Sequence, residues 1–424
     1  MIKQTDKFGV VSVSGAVLFI LFLSSFNFSF RTLADIDVEL VDYSNLHRIV
    51  GFFILFFYVF FKFPKIAASI ASNKFLLFFS VYVVYRIVTT IWSIFPIWSF
   101  YRAVEFSLVF LFFVSFLDRE ASPPVIMKTL NRLVGLYLGL LLTVVIGVFV
   151  SPEEALSRSD NLLPQIKGVF PRLNSNGIGQ VTAVLAGIAI IYFSSYRNKA
   201  SLMLIMIVFP ILVLAQTRSA IAPLLLFSIY FFTVNVNLYV KTIVYLILGI
   251  LCVGLIVSSD AYWFIWDYLA RGQDSEQLLT LSSRLIVWES SIANANFGLF
   301  NFLFGLGAFA GGRFIAEMNF ESTSAGSPLT TLDNTWLELW VDEGLVGVIF
   351  VVFIFVWILK LLRASDGSII KSLGYCLFSI LFFRSFFVSS TLLHTNFFFM
   401  ILVLITAHLN QKHLTIGKHK ISGQ

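Results

Sequence analysis

The residues best suited to chemistry are gathered in one stretch of this chain, Leu281 to Gly347. It opens on Ser282-Ser283-Arg284-Leu285-Ile286-Val287-Trp288 and passes through a glycine-rich apolar patch, Gly305-Leu306-Gly307-Ala308-Phe309-Ala310-Gly311-Gly312. It closes on Leu332-Asp333-Asn334-Thr335-Trp336-Leu337-Glu338, after which Asp342-Glu343-Gly344-Leu345-Val346-Gly347 leads into a new apolar run. Polar, charged and glycine residues concentrate here while most of the chain is lipid-soluble. An arginine in such a place offers a rigid, permanently charged fork of donors that grips phosphate through paired hydrogen bonds.

The elements that must position these residues are set by composition. The chain is 58% hydrophobic and 12% charged, with 49 Phe, against roughly a quarter charged in a soluble domain. Apolar runs recur along its whole length, each long enough for a helix to cross about 30 Å of hydrocarbon. They are too long and too uniform for barrel strands, which leaves helices as the only way to satisfy the backbone in lipid. The fold class is therefore an all-α polytopic membrane protein. Residues 1–424 form a single integral membrane domain of about twelve transmembrane helices, with one large outer loop containing short helices. Spans are expected near 8–30, 49–63, 75–97, 100–117, 133–150, 177–194, 201–216, 219–234, 241–259, 335–358, 372–392 and 394–409. The first run exceeds the core of a signal peptide and is kept as a span. Cys252 and Cys376 lie inside apolar runs, which gives neither a disulfide framework nor a metal site.

Lysines orient the spans. Lys3, Lys7, Lys62, Lys65, Lys74, Lys128, Lys199, Lys241, Lys360, Lys371, Lys412, Lys418 and Lys420 fall on one side if the spans alternate, and Lys167 falls on the other. The lysine-rich side is cytoplasmic, so both termini are expected in the cytoplasm. Many arginines do the reverse: Arg31, Arg48, Arg158, Arg172, Arg218, Arg271, Arg284 and Arg313 fall outside. Any one of them can be an interfacial side chain reaching for water, but as a set they point to an anionic ligand on the outer face. Residues 260–333 form the one outer segment long enough to build a cap over that face. Within it, Ala261 to Tyr268 suggests an interfacial aromatic helix, and Ser283 can cap a second helix carrying Arg284 and Trp288.

Several short motifs fall in one order along the chain. They are Gly168-Val169-Phe170-Pro171-Arg172-Leu173-Asn174-Ser175-Asn176-Gly177-Ile178-Gly179, Thr217-Arg218-Ser219, Ser283-Arg284 with Trp288, Gly305-Leu306-Gly307, and Asp333-Asn334 with Leu337 and Gly344-Leu345-Val346-Gly347. Together they resemble the O-antigen ligase and O-antigen polymerase superfamily, over roughly Gly168 to Phe350. The resemblance implies a membrane glycosyltransferase of the bacterial inner membrane, needing no cofactor and no metal. Its donor would be an undecaprenyl-pyrophosphate-linked glycan and its acceptor a glycan or lipid A-core, with the bilayer as surroundings and no nucleic-acid partner. The family's functional arginines match Arg218 and Arg284, while Arg172, Asn176, Asn334 and Arg313 become candidate substrate ligands.

One position departs from the family. Asp333 stands where a histidine of a His-Asn pair is typical. A carboxylate can still accept a proton or orient a sugar hydroxyl, although it is a far weaker base than imidazole. Asp333 is thus the expected catalytic carboxylate, with capping of the helix that begins near Thr335 as the structural alternative. His47 and His394 also reach the outer side and could take the histidine's part. The chemistry stands without the family. Displacement at an anomeric carbon passes through an oxocarbenium-like centre, and a pyrophosphate leaving group needs fixed donors for its growing charge.

Other readings compete. Asp35, Asp37 and Glu39 are similar to the acidic metal motif of other membrane glycosyltransferases. Gly305-x-Gly307-x-x-Ala310 echoes a dinucleotide fingerprint, but without strand–helix–strand context it reads as a bend or re-entrant turn. Arg86 and Arg384 fall within spans, where charge is expensive, and Glu105 is the carboxylate expected to pair with one of them. A lipid-linked glycan flippase would also show many spans and a basic cavity, but with charge along a pathway near the midplane instead of at one face.

Overall fold

The structure, a computed structural model, describes residues 13–26, 46–117, 123–157, 164–235, 285, 288–289, 292, 298–312, 314, 332–365, 368–388, 392 and 396–422. In chain order these form α1 (Val13–Ser24), α2 (Leu46–Ser72), α3 (Lys74–Thr89) with a 3-10 turn (Thr90–Trp92), α4 (Pro96–Val114), α5 (Pro123–Val150) and the short α6 (Pro152–Ala155). Then come β1 (Leu156–Ser157), β2 (Gln165–Ile166), α7 (Ser175–Tyr196), α8 (Lys199–Ala215) and α9 (Arg218–Asn235). The last four helices are α10 (Leu299–Phe304), α11 (Thr335–Ala364), α12 (Ile369–Ser385) and α13 (Phe397–Ser422). The two strands pair antiparallel, Leu156 opposite Ile166.

Among the described residues, 6 helices are long and apolar enough to cross a membrane, and four shorter apolar ones accompany them. The architecture is that of an all-α polytopic membrane protein. The expected span at 241–259, the interfacial helix at 261–268, the cap at Ser283 and most of the loop 260–333 lie outside the described residues.

Helix starts follow side-chain chemistry. The Oδ1 atoms of Asn73, Asn174, Asn198 and Asn334 accept amide N–H groups of the first turns of α3, α7, α8 and α11, caps worth about 1 kcal/mol each. Phe397 to Leu409 of α13 is buried around almost its whole circumference, as a helix apolar on all sides must be. It packs against α3, α4, α5, α11 and α12 and forms the centre of the bundle. Asn73 also fixes this helix from the side, its Nδ2 donating to the Ala407 carbonyl at 2.8 Å.

Helices α7, α9 and α12 form a tight trio. A Cβ on Gly187 of α7 would lie 2.3 Å from Cys376 Sγ of α12 and 3.6 Å from Leu224 of α9, the close approach that small residues permit. The rings of Tyr230 on α9 and Tyr375 on α12 meet at 5.5 Å. This antiparallel register brings the start of α7, the start of α9 and the end of α12 to one level.

Candidate functional site

The glycine-rich patch is a buried wedge. It turns back from α10 between α11 and the bend joining α3 to α4. Leu306 N and Gly307 N donate to the carbonyls of Val341 and Asp342, both at 2.8 Å, and Ile94 N donates to Leu306 O at 3.1 Å. Ala308 N donates to Thr89 Oγ1 at 3.1 Å and Trp98 Nε1 to Phe309 O at 3.2 Å. Two glycines are indispensable to the approach. Gly307 has φ +107 and its Cβ would fall 2.3 Å from Ser93 Cβ; Gly344, with φ +68, would meet the Leu303 carbonyl carbon at 2.3 Å. Gly344 interrupts α11 there. Of the bend or re-entrant turn expected, a bend is what the patch forms.

The wedge organises buried charge. Gly311 N donates to Asp342 Oδ1 at 2.6 Å. Arg86 Nε donates to Glu343 Oε1 at 2.5 Å and its Nη1 to the Leu392 carbonyl at 3.2 Å. The guanidinium lies between the rings of Phe106 and Phe309, 4.5 and 4.3 Å from their centroids. The Tyr85 hydroxyl donates to the Glu343 carbonyl at 2.6 Å. A small cavity lined by Arg86, Phe309, Thr335, Glu338 and Asp342 adjoins this pair. The expectation that Glu105 pairs with Arg86 or Arg384 is corrected for Arg86, whose carboxylate partner is Glu343. Glu105 instead accepts from Arg102 Nη1, one turn earlier in α4, at 2.7 Å and lies 3.9 Å from Arg48 Nη2 of α2.

At the start of α11 the roles of two neighbours separate. Asn334 is the N-cap, accepting from Trp336 N at 2.9 Å and Leu337 N at 3.1 Å. Asp333 precedes it in a left-handed turn, φ +49, half-buried. The capping alternative for Asp333 is therefore corrected: the cap is Asn334. The turn is pinned on both sides. Trp288 Nε1 donates to Leu332 O at 2.6 Å, Thr335 Oγ1 to Val388 O at 2.7 Å, and Trp336 Nε1 to Ser385 Oγ at 2.8 Å.

The second cluster surrounds the start of α7. Thr217 Oγ1 donates to Ser175 O at 2.9 Å, which sets Arg218 at the first position of α9 beside it. Buried Arg384 donates from Nη1 to Asn176 O at 3.1 Å. Arg172 is exposed on a hairpin closed by Gly168 N to Leu173 O at 2.8 Å and the reverse bond at 3.1 Å. Asn176 and Arg218 thus share one neighbourhood, with Arg172 on the hairpin that precedes α7, and Asp333 and Asn334 form another, joined to it through α12. Arg284, Arg313, His394, Asp35, Asp37 and Glu39 lie outside the described residues. His47 is half-buried, with Nε2 2.9 Å from the Phe26 carbonyl. Sequence reasoning missed Arg384 beside Asn176 and the Arg86–Glu343 pair. The one signal was that both arginines fall inside apolar spans.

Residues 202–352 match the family model described as O-Antigen ligase. The match contains Arg218, Arg284, Arg313, Asp333, Asn334 and Glu343, and leaves out Arg86, Arg172 and Arg384. Comparison with curated proteins gives no match.

Proposed function

Taking as premise that this match supports membership of the O-antigen ligase/polymerase superfamily, we propose that the chain moves a glycan from an undecaprenyl-pyrophosphate carrier to an acceptor hydroxyl. The reaction takes place at the outer face of the bacterial inner membrane, with both termini cytoplasmic and residues 260–333 as a periplasmic cap. The anomeric C–O bond to pyrophosphate breaks, a new bond forms from that carbon to the acceptor oxygen, the hydroxyl proton leaves, and carrier pyrophosphate departs. Arg218 and Arg284 meet the charge on the leaving pyrophosphate. Arg172, Asn176, Asn334 and Arg313 hold the substrates, and Asp333 takes or orients the acceptor proton. No metal takes part.

One observation carries this reading. The charged and polar side chains of six different helices collect at one end of the bundle: Arg86 near the end of α3, Arg102 and Glu105 near the start of α4, Asn176 and Arg218 opening α7 and α9, Glu338 to Glu343 in the first half of α11, and Arg384 ending α12. Ionisable groups within spans are costly and mark substrate sites, and their gathering at one end suits surface transfer better than passage across the membrane. The experiment that tests it is analysis of lipid-linked glycans in a deletion strain. Polymerase loss leaves single repeats on the carrier, ligase loss leaves long chains there, and an unchanged profile would reject both.

The role of Asp333 gives a second expected result. Because Asn334 is the cap, Asp333→Asn removes the carboxylate without removing the cap. Transfer should fall by about 10²–10⁴-fold, the usual contribution of a positioned proton acceptor, while the melting temperature barely moves. Asp333→His should retain part of the rate. Normal transfer by Asp333→Asn together with loss in His47→Ala or His394→Ala would hand the role to that histidine.

A further inference from the structure

A groove of about 640 Å³ lies between α3, α11 and α13, toward the opposite end of the bundle from the Arg86–Glu343 pair. At 1.5 Å per residue its Lys360 stands about 25 Å along α11 from Glu343, and its Phe78 about 12 Å along α3 from Arg86. Helices α3 and α11 are both long and apolar enough to cross a membrane. Phe353 and Val356 line the groove and are 58% and 56% exposed. In a bilayer such a surface is covered by hydrocarbon, since water has no place there.

The walls change character along the groove. Phe353 is its apolar end, and about 10 Å farther along α11 stands Lys360, one turn before the helix stops. Asn410 of α13 also lines it, tied through Nδ2 to Asn73 Oδ1 at 3.0 Å. Trp357, one turn before Lys360, sets its ring against Phe75 and Phe78 at 5.8 and 5.7 Å, and tryptophan favours the level of the headgroups. Lys74 opens α3, exposed and one turn before Phe78 on the same side of the helix. Among the described residues neither Lys74 nor Lys360 has a carboxylate within ion-pair distance. Two cations without counter-charge beside an apolar floor fit an anionic head that carries hydrocarbon chains. The lysine pattern assigns this end to the cytoplasmic surface, where basic pockets between spans bind anionic headgroups.

We propose that this groove holds one anionic phospholipid of the cytoplasmic leaflet, with its phosphate at Lys360 and Lys74 and an acyl chain along Val356 and Phe353. A bilayer phospholipid is the amphiphile that meets this face at the highest concentration, and an anionic head answers the two lysines. The site is separate from the proposed transfer chemistry and does not depend on it. Its effect is on the frame: α3 and α11 carry Arg86 and Glu343 nearer their other ends, and a lipid seated between them here clamps the two helices together.

The test is native mass spectrometry of the full chain in detergent, titrated with equal amounts of phosphatidylglycerol and phosphatidylcholine bearing the same acyl chains. The wild type should retain one phosphatidylglycerol in preference to phosphatidylcholine, and that lipid should raise its unfolding temperature. Lys360→Gln and Lys74→Gln should each weaken the binding by about five-fold, the usual effect of one lysine beside an anionic headgroup. Val356→Trp, on an exposed face, should fill the groove and abolish both the binding and the thermal shift. Met203→Trp, on the exposed face of α8, should leave both unchanged. Equal retention of the two lipids by the wild type overturns the proposal, as does full-affinity binding by Val356→Trp or by the double lysine variant. An equal loss in Met203→Trp would reduce the lipid to a general coat, and displacement by farnesyl phosphate at equal concentration would give the groove to an isoprenyl chain; either result also overturns it.

Discussion

Arg218→Ala will lower glycan transfer by about ten- to a hundred-fold, the worth of one charge-assisted contact of roughly 1.5–3 kcal/mol. The residue opens α9 at the level where α7 begins, and Thr217 fastens that corner to Ser175. Helix starts present unpaired amides and the positive end of the macrodipole, which favours anions. An arginine placed there adds full charge and a planar fork. Arg218→Lys separates the two contributions: it keeps the charge and loses the paired geometry, so it should also be severely impaired. The measurement is the initial rate of transfer from a purified carrier-linked glycan, with folding checked by thermal unfolding. A near-normal rate in Arg218→Ala would remove the pyrophosphate assignment.

The second large effect is on stability. Removing one member of the Arg86–Glu343 pair should destabilise the protein by about 3–5 kcal/mol, because the partner is left as an uncompensated buried charge. Arg86 is 2% and Glu343 0% exposed, so water cannot take the missing partner's place. The pair also spans four separate segments: Arg86 on α3, Glu343 on α11, the Leu392 carbonyl beyond α12, and Phe309 in the wedge. Arg86→Met and Glu343→Leu should each lower the unfolding temperature strongly in detergent. The double variant should recover much of the loss, since replacing both charges by apolar groups leaves nothing unpaired. Losses that simply add in the double variant would show that the two side chains are not coupled.

The sequence by itself determined the membrane class, the helical content and the positions of most described helices, because a hydrocarbon environment leaves the backbone few options and writes the spans as long apolar runs. It also located the start of α11 near Thr335, although the cap it offered was Asp333 and the residue that serves is Asn334. The bend at the glycine patch was legible for a similar reason: glycine at Gly305 and Gly307 announces a backbone that other residues rarely adopt.

Only the tertiary structure decided the partners of the buried charges. Glu105 is the nearer carboxylate to Arg86 in sequence, yet Arg86 pairs with Glu343, 257 residues away. That choice depends on where α11 bends at Gly344 and how the wedge enters beside it, which no local pattern encodes. The same holds for the meeting of Arg384 with Asn176 across 208 residues, and for the two faces of α7. Apolar periodicity places a helix in the membrane, but a helix buried on most sides carries little amphipathic signal to say which neighbour each face will meet. Packing of small residues at Gly179 and Gly187 settled which side of α7 meets α9 and α12.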